Sequence, residues 1–293
     1  MSTRSGFYRD GSRVGRGTRR SVLARNTILY AVVVAVCAVM FFPMVWMFYT
    51  SLKSNTEIYA SAWALPNAPQ FGNFVKAWRV GHLGRYVWNS IVCTSTSVFA
   101  IVLVSSLAAF AFSRLRFRGR ELLFGFFLLG LIIPVQIVLI PLYSAMAQAG
   151  LQNTRTSVIL PYIAWGLPVS IYILRSFFLT LPFEFEDAAR IDGCTTFGLF
   201  WRILLPLVRP GLAAVAIFSS LGIWNEVLLA FVFLKDDAVK TLPLGLYAFY
   251  GYHITDLNLL FAALTVVTVP MIVLFLIFQR QLIEGLTVGS LKG

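Results

Sequence analysis

The densest group of residues that could do chemistry lies between Pro182 and Gly211, where an otherwise apolar sequence becomes acidic. Carboxylates follow the proline, two alanines come next, and a glycine closes the group: Glu184, Glu186, Asp187, Ala188, Ala189 and Gly193. Proline and acidic residues favour the start of a helix, where its dipole is positive, and glycine favours its end. Alanine side chains are small, so another surface can approach the helix backbone closely. The pattern therefore predicts a short helix that docks onto a partner.

A second helix is predicted directly after this glycine. Either Thr195 or Thr196 can cap its start. Large apolar residues then recur at i, i+3, i+4 and i+7, namely Phe197, Phe200, Trp201 and Leu204. Pro206 should disturb the helix because proline has no N–H to donate. We expect Phe197, Phe200 and Trp201 to anchor this second helix on the protein's own bundle.

The elements that must position this segment are apolar and long. Of the 293 residues 58% are hydrophobic and 12% are charged, and the mean hydropathy is +0.80, which excludes a soluble domain. Charge-free stretches recur that are long enough to cross about 30 Å of hydrocarbon at ~20 residues each. Because an isolated span must satisfy its own backbone hydrogen bonds in lipid, these stretches predict an all-α polytopic transmembrane bundle.

Six spans are expected, with the 182–211 segment between the fourth and the fifth. Residues 1–25 hold seven arginines and predict a disordered basic tail, leaving 26–293 as the transmembrane domain. The predicted spans are about 26–52, 85–114, 121–148, 156–174, 212–234 and 259–278.

The distribution of lysine and arginine predicts the orientation of these spans. Six spans put both termini and the 182–211 segment on one side, which carries seventeen of the 24 basic residues, against seven on the other. Positive residues favour the cytoplasm, so both termini and the segment are predicted to be cytoplasmic. Because the basic residues lie between the spans, the net charge of +12 does not require a nucleic-acid partner. The basic tail is expected to lie close to membrane lipid.

The residues needed for several kinds of catalysis are missing. The sequence has no G-x-x-x-x-G-K-[ST] phosphate loop, no zinc-ligand spacing and no G-x-S-x-G, so we expect no enzyme activity, metal or cofactor. A proton relay would need several carboxylates or histidines within the spans, and only Glu226 qualifies. An ion-coupled secondary transporter is thereby weakened as an alternative, and a separate ATPase is the expected source of energy.

The 182–211 segment resembles the EAA loop of ABC importer permeases. The shared pattern is D-A-A-x-x-x-G, nine residues, then I-x-L-P: Asp187, Ala188, Ala189, Gly193, Ile203, Leu205 and Pro206. The family pattern begins with Glu, so Glu186 or Asp187 is the carboxylate in question here. In that family the loop forms the coupling helix, which sits in a cleft of the ATP-hydrolysing subunit. The resemblance implies that Glu184, Glu186 and Asp187 pair with cations there and that both alanines allow close seating.

Three further stretches resemble permeases of carbohydrate-uptake ABC importers. They are residues 134–154, the W-N-E at 224–226, and the ending Q-R-Q-L-I-E-G-L-T-V-G-S-L-K-G at 279–293, which is typical of the shorter, maltose-type second permease. The resemblance implies a heterodimer with a second permease, two ATP-binding subunits and an extracytoplasmic sugar-binding protein. An ABC permease for a non-sugar solute stays open as an alternative, as does a channel or membrane scaffold.

Four polar residues within the spans are candidates for the substrate path. Asn225 and Glu226 could hydrogen-bond sugar hydroxyls, or they could fix the bundle through bonds between helices. Ser105 is a weaker candidate, since small polar residues are common where helices pack. Gln136, within the 134–154 stretch, is the fourth.

Overall fold

The computed structural model describes the backbone of residues 16–252 and 256–290, and side chains for 25–247 and for 256–279 except 274. All regular structure in these residues is helical, as predicted. The long helices are α1 (Arg16–Ser51), α4 (Leu83–Arg114), α7 (Thr156–Thr180), α11 (Arg209–Trp224) and α14 (Leu257–Ser290). The shorter ones are α2 (Asn55–Ala60), α3 (Gly72–Val80), α5 (Arg120–Leu129), α6 (Val135–Gln148), α8 (Glu184–Ile191), α9 (Thr196–Gly198), α10 (Leu205–Leu207), α12 (Leu228–Phe233) and α13 (Leu242–Tyr252).

Four described helices are long and apolar enough to cross a membrane. They match the predicted first, second, fourth and sixth spans: Arg25–Ser51 within α1, all of α4, all of α7, and Leu257–Gln279 within α14. Helix α1 begins at Arg16, so residues 16–25 are helical and the predicted boundary of a disordered tail at residue 25 is wrong. Residues 1–15 of that predicted tail lie outside the described residues.

The predicted third and fifth spans are each divided into two helices. In the third, Pro134 has an extended conformation between α5 and α6, whereas Pro141 is accommodated within α6. In the fifth, residues 225–227 separate α11 from α12. Helix α11 is also bent by 75° from the helical stretch Thr196–Leu207 that precedes it, a geometry that fits either one broken span or a re-entrant loop. Only this pair could add a fifth crossing by length and composition among the described residues.

The bundle is centred on α4 and α7, which pack against each other more extensively than any other described pair. Helix α11 packs against both of them, and α14 packs against α11, α1 and α3. One apolar cluster lies where α4 and α7 meet the 182–211 segment and includes Phe110, Phe178 and Phe200. The 182–211 segment is therefore built into the end of the α4–α7 pair.

At the opposite end of the bundle, asparagine side chains hold the connecting segments. Asn89 in α4 donates hydrogen bonds to the carbonyls of Ala238 and Lys240 at 3.0 and 2.9 Å. The side-chain oxygen of Asn153 accepts from the main-chain amides of residues 235 and 236, both at 2.9 Å. Because these bonds satisfy main-chain groups, the 235–241 loop has a defined conformation outside the helices.

Candidate functional site

Helix α8 turns one face towards the bundle and the other away from it. Its buried residues are Glu186 and Ala189, which lie three positions apart and so on the same face. Asp187 and Ala188 are exposed. Both alanines were expected to seat a partner, and for Ala189 this is wrong: its small side chain lets α8 approach the chain's own core. Ala188 alone is free to face a partner.

Glu186 forms an ion pair with Arg114, the last residue of α4. The Glu186 Oε1 and Arg114 Nη1 atoms are 2.9 Å apart, and the two side chains are 7% and 1% exposed. A buried carboxylate is stable only with such a partner. The expected pairing of Glu186 with cations of another subunit is therefore wrong. Asp187 is the carboxylate of the D-A-A pattern that remains accessible.

The end of α8 and the start of the next helix follow the prediction. Gly193 has φ = +73°, and its N–H donates to the carbonyl of Arg190. The next N–H, of Cys194, donates to Ala189, which completes the reciprocal pair of bonds that closes many helices on a glycine. Thr195 then caps α9 by accepting from the N–H of Gly198 at 3.1 Å.

The second helix of the segment departs from the predicted periodicity. Between α9 and α10 the backbone forms a π-helical turn, Leu199–Leu204, which widens the helix and changes which residues share a face. Phe200 and Leu204 are buried in the core, as expected. Phe197 is 69% exposed and Trp201 is 39% exposed, so the prediction that both anchor the segment on the bundle is wrong.

Ile203 and Pro206 lie on the partly buried side of this stretch. Both are half-buried, and Ile203 packs against the cluster that contains Phe200. Pro206 lies within α10, just after the π-helical turn, so the helix accommodates it and bends further along, before α11. Their part in the I-x-L-P pattern is thus to shape the connection between α8 and α11.

The surface of the segment that points away from the core is apolar as well as acidic. Two exposed carboxylates accompany five exposed large apolar side chains: Glu184, Asp187, Phe183, Phe185, Ile191, Phe197 and Trp201. We call these residues the outward face of the segment. A concentration of exposed aromatic and aliphatic side chains with charged neighbours is typical of a protein-binding surface.

A cavity of about 450 Å³ lies among α4, α7 and α11. Its walls include Ile101, Tyr162, Trp165, Phe218, Ser219 and Glu226. Trp165 presents a partly exposed ring there, at 45% exposure. Apolar and aromatic walls with a few polar groups are typical of small-molecule sites. Of the four predicted path residues, the cavity contains Glu226.

Both oxygens of the Glu226 carboxyl group accept hydrogen bonds from within the chain. Its Oε2 accepts from the hydroxyl of Tyr162 at 2.8 Å and from the N–H of Ala230 at 3.2 Å. Its Oε1 accepts from the N–H of Leu229 at 2.7 Å. Glu226 thereby caps the start of α12 and ties it to α7, which favours the structural alternative left open by the sequence.

The other three predicted path residues are not brought together with Glu226. Asn225 is exposed and donates to the carbonyl of Leu221, in the helix that it follows, at 2.9 Å. Ser105 is fully buried within α4, with its hydroxyl 3.5 Å from the carbonyl of Val102, so it lies in packing. Gln136 is exposed at the start of α6. Their assignment to a substrate path stays a prediction.

Two features of the site were missed by reasoning from the sequence. Arg114 was counted only as a topology signal, although a basic residue at a helix end and the acidic group at 184–187 are the two halves of the ion pair. Tyr162 and Trp165 line the cavity but lie within an apolar run, where nothing in the local pattern distinguishes them from packing residues.

Comparison with known proteins places this geometry in a family. Residues 100–288 match the family model described as binding-protein-dependent transport system inner membrane component. The probable ABC transporter permease protein YurM of Bacillus subtilis (strain 168) is 39% identical over 256 residues, which are 86% of this chain and 84% of the relative. The diacetylchitobiose uptake system permease protein NgcG of Streptomyces coelicolor is 35% identical over 267 residues, 90% of this chain and 86% of the relative.

A solved structure shows the same fold. A chain from the crystal structure of a bacterial ABC transporter involved in the import of the acidic polysaccharide alginate aligns with a TM-score of 0.75 at 20% identity. The alignment covers 94% of this chain and 99% of that one.

Fold and site together define a multi-pass membrane transport subunit. The chain belongs to the family of inner membrane components of binding-protein-dependent transport systems, and the predicted resemblance to ABC importer permeases is confirmed.

Proposed function

We propose that this chain is a permease subunit of an ATP-driven carbohydrate importer. It forms a translocation path with a second permease, two separate ATP-binding subunits supply the energy, and an extracytoplasmic binding protein delivers a mono- or oligosaccharide. The observation that carries this proposal is the outward face of the 182–211 segment, which is packed against the end of the α4–α7 pair.

The exposed half of α8 has the chemistry of a docking helix. Asp187 can pair with a basic group of a partner, and the small side chain of Ala188 beside it lets that partner approach the helix backbone closely. Ile191, 86% exposed, adds apolar area that becomes buried when a partner cleft closes around the helix. Glu186 and Ala189 hold the other face of α8 against the bundle. A partner that moves α8 therefore also moves the helices to which α8 is attached.

Carbohydrate as the substrate class is supported by the relatives. The Streptomyces coelicolor relative is named for diacetylchitobiose, and the transporter of similar fold is described as importing alginate. The cavity beside Trp165 is compatible with this class, since aromatic faces suit the apolar faces of sugar rings.

The proposed orientation places the 182–211 segment and both termini in the cytoplasm. It rests on the seventeen basic residues on that side of the six predicted spans against seven on the other. Cys194, half-buried directly after α8, provides a native reporter of the side. With Cys37 and Cys93 replaced by alanine, a membrane-impermeant maleimide should label Cys194 in inverted vesicles and not in intact cells. Labelling confined to intact cells would overturn the orientation.

The test of coupling uses a bulky residue on the outward face. Ala188→Trp should leave the protein inserted but abolish recovery of an ATPase subunit with it, together with ATP-driven uptake. Ala60→Trp is the matched control, because Ala60 is also an exposed alanine on a short helix, α2, at the opposite end of the bundle. Gly193→Pro should act like Ala188→Trp, since φ = +73° is closed to proline.

Uptake is measured in proteoliposomes with a panel of radiolabelled sugars that includes diacetylchitobiose and maltose. Normal ATP-driven uptake by Ala188→Trp would contradict the docking assignment. Uptake by the purified chain alone, driven by a proton or sodium gradient, would instead establish the ion-coupled alternative.

A further inference from the structure

Arg114 makes contacts with three parts of the chain at once. Besides its ion pair with Glu186, its guanidinium donates hydrogen bonds to the main-chain carbonyls of Phe178 and Leu181, the latter at 2.7 Å. It also lies over the ring of Phe183, 4.5 Å from the centroid. Phe178 and Leu181 end α7, and Phe183 is the residue before α8. One side chain at the end of α4 therefore holds both the end of α7 and the start of α8.

The attachment of α8 depends on very few groups. Among its eight residues only Glu186 and Ala189 are buried, and a methyl group contributes little apolar area. A helix this short does not persist by its own hydrogen bonds in water, so its position is set by tertiary contacts. The buried ion pair with Arg114 is the polar part of those contacts.

A second arginine makes the same kinds of contact, but with other partners, none of which belongs to α8. Arg175 of α7 donates to the carbonyl of Phe112 in α4 at 3.2 Å, pairs with Glu121 of α5 at 2.7 Å, and lies over the ring of Phe124. Its removal should be tolerated, because α4 and α7 also pack along most of their length. Arg175 is thus a natural control for the effect of removing a paired, partly buried arginine from this region.

We infer that Arg114 is a positioning residue for energy coupling: it joins α8 to the ends of α4 and α7 so that all three move as one rigid body. A displacement of α8 by a bound ATPase subunit is then transmitted to two membrane spans instead of being lost in a loose loop. This inference rests on the proposed function, since it presupposes that a partner moves α8. Without Arg114 the outward face still binds the partner, but its movement no longer drives the bundle.

The experiment compares four variants of the full complex in proteoliposomes. They are Arg114→Met, Glu186→Gln, the double variant Arg114→Met/Glu186→Met, and the control Arg175→Met. Two quantities are measured, the amount of ATPase subunit recovered with the chain and the number of sugar molecules taken up per ATP hydrolysed, with the panel sugar that the native complex transports.

The first three variants should retain the ATPase subunit and its hydrolysis, but their uptake per ATP should fall at least tenfold. Arg175→Met should stay within about twofold of the native ratio. The double variant decides the matter if a single variant fails to accumulate, because replacing both partners of a buried ion pair by apolar side chains leaves no unpaired charge.

Two results would overturn the inference: a native ratio in the double variant, or an equal loss of coupling in Arg175→Met. Failure of the proposed function looks different, since the native chain itself would then recover no ATPase subunit.

Discussion

Removal of the Glu226 carboxyl group should destabilise the protein, and the loss can be worked out from its three hydrogen bonds. Glu226→Ala leaves the N–H groups of Leu229 and Ala230 uncapped at the start of α12, which costs about 1 kcal/mol. It also leaves the hydroxyl of Tyr162, whose residue is 4% exposed, without its acceptor, which costs about 1–3 kcal/mol. The expected loss is therefore about 2–4 kcal/mol.

Glu226→Gln separates the effect of the carboxyl group from that of shape. A glutamine has one acceptor oxygen, so it can serve either Leu229 or the pair formed by Tyr162 and Ala230, and about half of the loss is expected. The assay is denaturant unfolding of the purified protein in detergent, with sugar uptake measured in parallel. If the role of Glu226 is structural, both variants should be less stable than the native protein, and the molecules that remain folded should transport the sugar with an unchanged KM.

The opposite pattern would refute this reasoning. If Glu226→Ala unfolds within about 1 kcal/mol of the native protein while the KM for the transported sugar rises tenfold or more, then Glu226 acts mainly in the substrate path. Tyr162→Phe provides the matched control, because it removes the hydroxyl that donates to Glu226 and leaves the cap of α12 in place.

Three further predictions concern single positions. Gly245→Ala should destabilise the protein by about 1–3 kcal/mol in the same unfolding assay, since the added Cβ would lie 2.1 Å from the ring of buried Tyr86. Asn153→Gly keeps φ = +54° accessible but removes the side-chain acceptor of the 235–241 loop, so protease cleavage of that loop should be roughly fivefold faster, equivalent to about 1 kcal/mol; an unchanged rate would contradict the holding role. The ammonium of Lys240 donates to Asp237 at 2.6 Å and holds the pKa of that carboxyl below its ordinary value. A carboxyl group whose pKa is lower in the folded state contributes its full stabilisation above its unfolded pKa of about 3.9, and this stabilisation is lost as the pH falls through the folded pKa. The protease resistance of the loop should therefore decline at acid pH in the native protein and much less in Asp237→Asn.

Features that depend on local chemistry were predictable from the sequence. The unbroken spans follow from apolar length, because lipid offers no partner for an unpaired backbone group. The end of α8 at Gly193 and the cap at Thr195 follow from conformations and hydrogen bonds that involve only neighbouring residues. The 182–211 segment was predicted because its acidic and small residues lie between two apolar spans.

Features that depend on distant partners were not predictable in the same way. Nothing local distinguishes Glu186 from Asp187, and only contact with Arg114 turns the first inward and leaves the second exposed. The π-helical turn at Leu199–Leu204 adds a residue to one turn, so a periodicity that assumed 3.6 residues per turn placed Phe197 and Trp201 on the wrong face. The division of the fifth predicted span depends likewise on Glu226, whose partner Tyr162 is 64 positions away.

The acceptors that Arg114 uses on α7 are main-chain carbonyls, and any amino acid supplies an identical one. They lie at the C-terminal end of α7: the carbonyl of Phe178 also accepts the N–H of Leu181, and Leu181 follows the last residue of the helix. During divergence of related permeases, the residue types at positions 178 and 181 can drift as far as packing allows without breaking this attachment. Positions 114 and 186 have no such freedom, since each needs the opposite charge of the other. Across an alignment of such proteins these two positions should change together or not at all.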